Sequence, residues 1–292
     1  MSWRTVVIAN RCKLDLKMGY MVVRGEETKR IVLDEISTVI IEDTAVSITG
    51  CLLEELANRK IIVIFCDSKR NPASELMSLY GCHDCSLKMK KQLEWDPEIK
   101  SAVWTEIVSD KIRKQMELLL KLGKDESADM LFAYLTEMEY NDITNREGHA
   151  AKVYFNAIFG LDFTRSGDCV TNAALNYGYG LILSAINREV VVNGYLTQFG
   201  LFHNNMFNQF NLSCDLMEPF RIIVDRFVHN KNYKEFGTEE KHDLVSIFTS
   251  KVLINGSKQY LNNAMKIYCR SVFDALNDRD VSLIKPYFYD PL

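Results

Sequence analysis

Proline is almost missing from most of this chain. Only five occur in 292 residues, and just three of them fall between residues 73 and 290. So few backbone breaks over so long a stretch favour long helices, because an interior proline removes a hydrogen bond and clashes with the preceding turn. From about Lys88 to the C-terminus the apolar residues recur at helical spacing. Met116, Leu119, Leu120 and Gly123 end one candidate helix. Others run over Ala128 to Glu139, Glu147 to Ile158, Val170 to Val191 and Pro219 to Val228.

The first eighty residues follow a different rule. Thr5 to Ala9, Cys12 to Leu16, Tyr20 to Arg24, Lys29 to Leu33 and Ser37 to Ile41 are short and rich in Val and Ile. Lys17-Met18-Gly19 and Gly25-Glu26-Glu27 supply turns between them. Alternation at Cys12-Lys13-Leu14-Asp15-Leu16 gives one wet face, which predicts antiparallel sheets. Ser47 to Lys60 switches to helical period, a buried strand covers Ile61 to Cys66, and Asn71-Pro72 breaks the chain. The expected class is therefore α+β, with a small N-terminal β-sandwich domain (residues 1–80) carrying one helix and a larger all-α domain (residues 81–292). Two domains also suit the length.

Hydrophobic residues make up 47% and charged residues 25%, ordinary values for a globular chain. The N-terminus has too short an apolar run for a secretory signal, and the longest apolar stretch, Ile61 to Cys66, is far below the ~18 residues of a membrane span. A cytoplasmic protein without membrane contact is expected. The eight cysteines fit no disulfide scaffold in a chain this long. Cys82-His83-Asp84-Cys85 invites a zinc reading, but no second Cys/His pair stands at finger spacing to complete four ligands.

The net charge of −4 counts against a protein that coats nucleic acid non-specifically. Bases do cluster at Lys88, Lys90 and Lys91, and at Lys111, Arg113, Lys114, Lys121 and Lys124. Each cluster reads as a solvated helix face or as part of a local basic stripe.

Three short segments carry the chemistry: Arg146-Glu147-Gly148-His149-Ala150, Gly200-Leu201-Phe202-His203-Asn204, and Asp215-Leu216-Met217-Glu218-Pro219-Phe220-Arg221. Carboxylate oxygens with one imidazole suit Mg²⁺ or Mn²⁺, the ions that handle phosphates. Arg146 and Arg221 flank two of the acids, as a polyanionic substrate requires. Each segment also has a plain structural reading. Glu147 is a first-turn acid favoured by the helix dipole. His203 is a packed histidine among aromatics. Asp215 and Glu218 form a capping box, with Pro219 in the first turn.

Taken in order, these segments resemble one family. Asn145-Arg-Glu-Gly-His-Ala-Ala151, Asn172-Ala-Ala-Leu-Asn-Tyr-Gly-Tyr179, Gly200-Leu-Phe-His203 and Asp215-Leu-Met-Glu-Pro-Phe-Arg221 are similar to the CRISPR-associated spacer-acquisition integrases, the "Cas-one" family, in its type II-like form. The resemblance covers nearly the whole chain. It implies an N-terminal β-sandwich that dimerises and an α-helical catalytic domain. By position, Glu147, His203 and Glu218 match the metal ligands, and Asp215 matches a further acid beside the metal. Cys82-His83-Asp84-Cys85 departs from the family pattern. The implied activity joins the 3′-hydroxyls of short double-stranded DNA fragments to repeat boundaries of a CRISPR array, with Mg²⁺ or Mn²⁺ as cofactor. Asp215 would orient bound water or the nucleophile. Arg146 and Arg221 would hold phosphates, with Asn176 and Tyr177 in the same pocket. The implied partners are a homodimer mate and a small subunit, "Cas-two", in a heterohexamer. The same centre would also serve a plain metal-dependent DNA endonuclease, since activating water and activating a hydroxyl need the same ligands. A non-catalytic DNA-binding scaffold is the third reading. A metalloprotease is disfavoured because no His-Glu-x-x-His string is present.

Overall fold

The computed structural model describes residues 4–77 and 82–289. The expected domain boundary at 80/81 lies outside the described residues. Five short strands come first, β1 (Arg4–Ile8), β2 (Lys13–Lys17), β3 (Tyr20–Arg24), β4 (Thr28–Val32) and β5 (Ile36–Ile41). They match the expected segments to within a residue at each end. The β2–β3 hairpin closes through Met18 and Gly19, both with positive φ (51° and 77°), the backbone twist that a tight two-residue hairpin needs. A two-residue strand β6 (Ser47–Ile48), helix α1 (Gly50–Asn58) and strands β7 (Ile62–Cys66) and β8 (Pro72–Glu75) follow.

These strands form two four-stranded sheets, ordered β4-β3-β2-β6 and β1-β5-β7-β8. The first is antiparallel apart from its β2–β6 pair. The second corrects the expectation of antiparallel sheets, because β1, β5 and β7 run parallel. The reason lies in burial. All six residues of β5 are buried, as in parallel sheets covered on both faces. Val39, Ile41 and Val63 turn to a cluster shared with Leu14, Met21, Leu52 and Leu56. Ile40, Ile62 and Ile64 turn the other way, into the core of the helical region. Pro72 opens edge strand β8 instead of ending the pattern, a position where its missing N–H costs nothing.

The helices are α2 (Cys85–Leu93), α3 (Pro97–Lys121), α4 (Asp125–Thr136), α5 (Arg146–Phe159), α6 (Val170–Val192), α7 (Asn211–Met217), α8 (Arg221–Lys231), α9 (Thr238–Val245) and α10 (Leu261–Asp278). The helix expected over Pro219 to Val228 opens as a 3₁₀ turn at Glu218–Phe220 and continues as α8. Helix α6 is buried on several sides and touches α7, α8, α9 and α10 as well as β7 and β8. A helix that is apolar nearly all round belongs at a centre.

The region is not all-α. Strands β9 (Lys251–Ile254), β10 (Ser257–Tyr260) and β11 (Tyr287–Tyr289) form an antiparallel sheet ordered β10-β9-β11. Its β9–β10 turn is Asn255-Gly256, with φ of 50° and 72°. An Asn-Gly pair between apolar segments is a strong hairpin signal, so this sheet was legible. No helix among the described residues is long and apolar enough to cross a membrane.

Candidate active site

Helix α5 begins at a left-handed Asn145 whose side chain accepts from the Gly148 N–H at 3.3 Å. The Asp142 carboxylate accepts from the Arg146 and Glu147 N–H groups at 2.6 and 3.1 Å. With the helix start capped in this way, Glu147 is not needed as a cap. Its Oε1 instead accepts from Lys111 Nζ of α3 at 2.6 Å.

Glu218 arrives at the same ammonium from another direction. Its Oε2 accepts from Lys111 Nζ at 2.5 Å, and its Oε1 accepts from Arg221 Nε at 2.9 Å. No capping box forms at Asp215 and Glu218, because Asp215 lies inside α7, whose N-cap is Phe210. Burial alone would raise the Glu218 carboxyl, but Arg221, Lys111 and His203 outweigh it and hold it at about 2. Lys111 behaves in the mirror sense: burial works against its charge, and Glu218 and Glu147 more than restore it. The basic cluster on α3 therefore needs correction. Lys111 and Lys114 are buried, with Lys114 paired to Asp110, and neither belongs to a solvated face.

His203 sits on the loop between α6 and α7, and Asp215 of α7 builds that loop. The fully buried Asp215 carboxylate accepts from the backbone N–H groups of Leu201 (2.6 Å), Phe202 (3.2 Å) and His203 (3.1 Å). Its Oδ1 also lies 2.6 Å from His203 Nδ1. This bond is the main reason the imidazole pKa is raised, against the opposing effect of burial. Gly200 is required by close approach: a Cβ there would collide with the His203 carbonyl and meet Asp215 Oδ2 at 2.7 Å. Trp104 of α3 completes the loop's seat, stacked on Phe202 at 4.6 Å and edge-on to His203 at 5.8 Å. With Nδ1 taken, Nε2 is the ring nitrogen left to act.

A cavity of about 210 Å³ adjoins these charges, lined among others by Lys111, Gln115, Glu147, Arg165, Tyr179, Glu218, Arg221 and Asp225. Arg221 lies over the Tyr179 ring at 4.7 Å. Arg165 lies over the same ring at 5.2 Å and donates to Asn176 Oδ1 at 2.7 Å. Asp225 is buried between the hydroxyls of Tyr154 and Tyr179. Burial raises its carboxyl to about 6, and the two hydroxyls moderate the rise.

Of the sequence candidates, Glu147, Glu218 and Arg221 come together at Lys111, and His203 and Asp215 pair beside them. Asn176 is exposed at Arg165. Two candidates are placed elsewhere. Arg146 pairs with Glu137 at 2.9 Å and lies over Tyr134. Tyr177 is buried with its ring against Phe236 and Lys241, so nucleic acid cannot reach it, and Tyr179 takes the pocket wall in its place. Sequence reading missed Lys111, Trp104, Arg165 and Asp225. Only Lys111 carried a signal: a lysine on a helix whose neighbours Ile107, Val108 and Ile112 are all core residues.

Does this donor set fit a divalent ion? Two carboxylate oxygens converge on one point already held by a cation. His203 has its second nitrogen fixed by a carboxylate, the arrangement that commonly orients a ligating imidazole. The chemistry fits. Among the described residues, however, no three His, Cys, Asp or Glu side chains stand at metal-holding spacing, and Lys111 Nζ stands between Glu147 and Glu218. A larger, mainly apolar cavity of about 1000 Å³ lies between β8, α2 and α6. It contains Cys82 and Cys85, whose sulfurs are 3.1 Å apart, and none of the paired charges above.

The family model described as CRISPR associated protein Cas1 matches residues 5–243. The chain belongs to the Cas1 family. It is 34% identical over 226 residues to a CRISPR-associated endonuclease Cas1 of Neisseria meningitidis serogroup C (77% of this chain, 74% of the relative). It is 25% identical over 281 residues to a Cas1 endonuclease of Francisella tularensis subsp. novicida, covering 87% of each. Two solved structures share the fold at 18% identity and a TM-score of 0.76. One is a casposase bound to integration product (97% of this chain, 93% of that one), and the other is a Cas1 protein from Thermotoga maritima (94% and 97%). A Cas6-RT-Cas1–Cas2 complex matches 99% of this chain and 36% of its own, with a TM-score of 0.72.

Proposed function

We propose that this Cas1 protein is a CRISPR adaptation integrase that joins the 3′-OH ends of short DNA fragments to the repeat boundaries of an array. The observation that carries the reading is the meeting of Glu147 and Glu218 at one cation position, with Asp215-fixed His203 beside them. Glu147, Glu218 and His203 Nε2 would hold Mg²⁺ or Mn²⁺. When bound, such an ion neutralises the transferring phosphate and lowers the pKa of the attacking hydroxyl.

The remaining work belongs to the chain. Asp215 fixes the His203 loop and the imidazole orientation through four hydrogen bonds. This makes it a positioning residue, where the family pattern led us to expect it to orient water. Arg221 keeps Glu218 ionised. Arg221 and Arg165 offer guanidinium groups to phosphate oxygens, for which the planar fork is better suited than an ammonium. The adjoining Tyr179 and Phe155 walls limit water. The N-terminal region, residues 1–80 as a β-sandwich, is assigned to homodimerisation, and residues 81–292 to catalysis. A Cas2 partner is supported by the fold shared with chains from Cas6-RT-Cas1–Cas2 complexes, and the arrangement we propose is a Cas2 dimer held between two Cas1 dimers.

Relatives named endonuclease keep a second reading in view, in which the same centre hydrolyses DNA. The scaffold reading is disfavoured, since holding a buried Glu218 and a part-buried Glu147 against a buried lysine and an arginine is costly where nothing uses them. The test is an incubation of the protein, with its small partner subunit, a 3′-OH fragment, a supercoiled array plasmid and Mn²⁺. Covalent fragment–plasmid product is expected. Cutting without joining would support the nuclease, and binding without chemistry would leave the scaffold.

A further inference from the structure

Both carboxylates assigned above to a divalent ion are already held by a cation of the chain itself. Lys111 Nζ stands 2.6 Å from Glu147 Oε1 and 2.5 Å from Glu218 Oε2. An ion bound by those two oxygens needs the same point. A divalent cation and an ammonium cannot share it, because like charges at such separations repel strongly in a site shielded from water. One turn along α3, Gln115 Oε1 is buried and has no hydrogen-bond partner among the described residues. An unpaired buried acceptor is costly and needs a reason. Residues at i and i+4 are neighbours on one helix face, and Gln115 lines the same cavity as Lys111 and Asp225. The orphan acceptor thus shares a helix face and a cavity with the lysine, and the buried acid Asp225 lines the same cavity.

We propose that Lys111 is a two-position counter-ion, which holds Glu147 and Glu218 in ligating orientation before metal arrives and moves to Gln115 Oε1 and Asp225 when metal binds. Metal uptake is then an exchange of one cation for another, not the filling of a vacant site. The proposal rests on the metal-dependent reading above. It deepens that reading by accounting for a buried lysine and an unpaired glutamine that catalysis alone does not need.

The test measures Mn²⁺ binding by calorimetry, without DNA, on the full chain and on Lys111→Gln, Gln115→Leu and the double variant. Circular dichroism checks that each is folded. Lys111→Gln keeps a donor between the carboxylates but removes the competing charge, and should bind Mn²⁺ on the order of tenfold more tightly. Gln115→Leu removes the second position and should weaken binding by about fivefold, the value of one hydrogen bond. In the double variant the Gln115 effect should vanish, since no ammonium remains to be received. Weaker or unchanged binding by Lys111→Gln would overturn the exchange while leaving the metal reading intact. Gln115→Leu equal to wild type, or an undiminished Gln115 effect in the double variant, would overturn the second position. Should Lys111→Gln not fold, the Gln115→Leu measurement alone decides between the two positions. Mn²⁺ binding by none of the proteins would overturn the metal reading and this proposal together.

Discussion

Glu218 and Asp225 are both buried carboxylates, two turns apart on one stretch of chain, and the fold treats them in opposite ways. Glu218 is met by Arg221 and Lys111 and stays ionised, at about 2. Asp225 is met by two tyrosine hydroxyls and is pushed to about 6 by burial. Burial pushes both carboxyls up, and the difference teaches that the neighbours decide whether that push prevails. Formal cations face Glu218, and neutral hydroxyl donors face Asp225.

The most severe way to break the contrast is Arg221→Met, which moves Glu218 toward the situation of Asp225. Removing one partner of a buried ion pair leaves an uncompensated charge. Because the Arg221 side chain keeps 28% of its exposure, we expect a loss near the low end for such pairs, about 3 kcal/mol in urea unfolding. Unchanged stability would mean Lys111 alone neutralises Glu218. Asp215→Asn comes next. An amide nitrogen cannot accept from the loop N–H groups, so about 1–3 kcal/mol of stability should go. Mn²⁺ affinity should fall roughly 10–100-fold as the imidazole loses its orienting carboxylate. Loss of stability with metal affinity intact would separate His203 from the metal.

The pH dependence is opposite in sign for the two acids. Glu218 falls from an ordinary 4.5 to about 2 on folding. Its contribution is present above about pH 4.5 and is lost as pH falls toward 2. Asp225 rises from 3.8 to about 6. The folded state therefore holds the extra proton, and stability declines as pH rises from about 3.8 to 6. Each unit of separation is worth about 1.4 kcal/mol. Melting temperature against pH should show the acid-side loss flattened in Glu218→Gln and the decline between 3.8 and 6 flattened in Asp225→Asn. The same slope in wild type and Asp225→Asn would refute the assignment.

Much of this was legible in the sequence, and the gaps have physical causes. Short runs rich in Val and Ile between turn residues placed β1 to β5, and alternation marked the wet face of β2. Parallel pairing of β1, β5 and β7 was not legible, because which strands meet is decided by long-range burial of both faces of β5. Glu147, His203, Asp215 and Glu218 stood out through their flanking residues. Lys111 carried only the signal of its apolar neighbours, for a basic residue on a helix looks the same in sequence whether its ammonium meets water or two carboxylates. Tyr177 was the sequence candidate, and only the rotation of α6 shows that Tyr179 reaches the cavity instead.

The most direct test is the rate of fragment joining in Mn²⁺ by Glu218→Gln and Asp225→Asn, measured side by side with wild type on folded proteins. The account predicts that Glu218→Gln loses roughly 10²–10³-fold, the scale of removing a group that stabilises developing charge, while Asp225→Asn stays within about tenfold of wild type. Equal loss in both, or joining retained by Glu218→Gln, would contradict it.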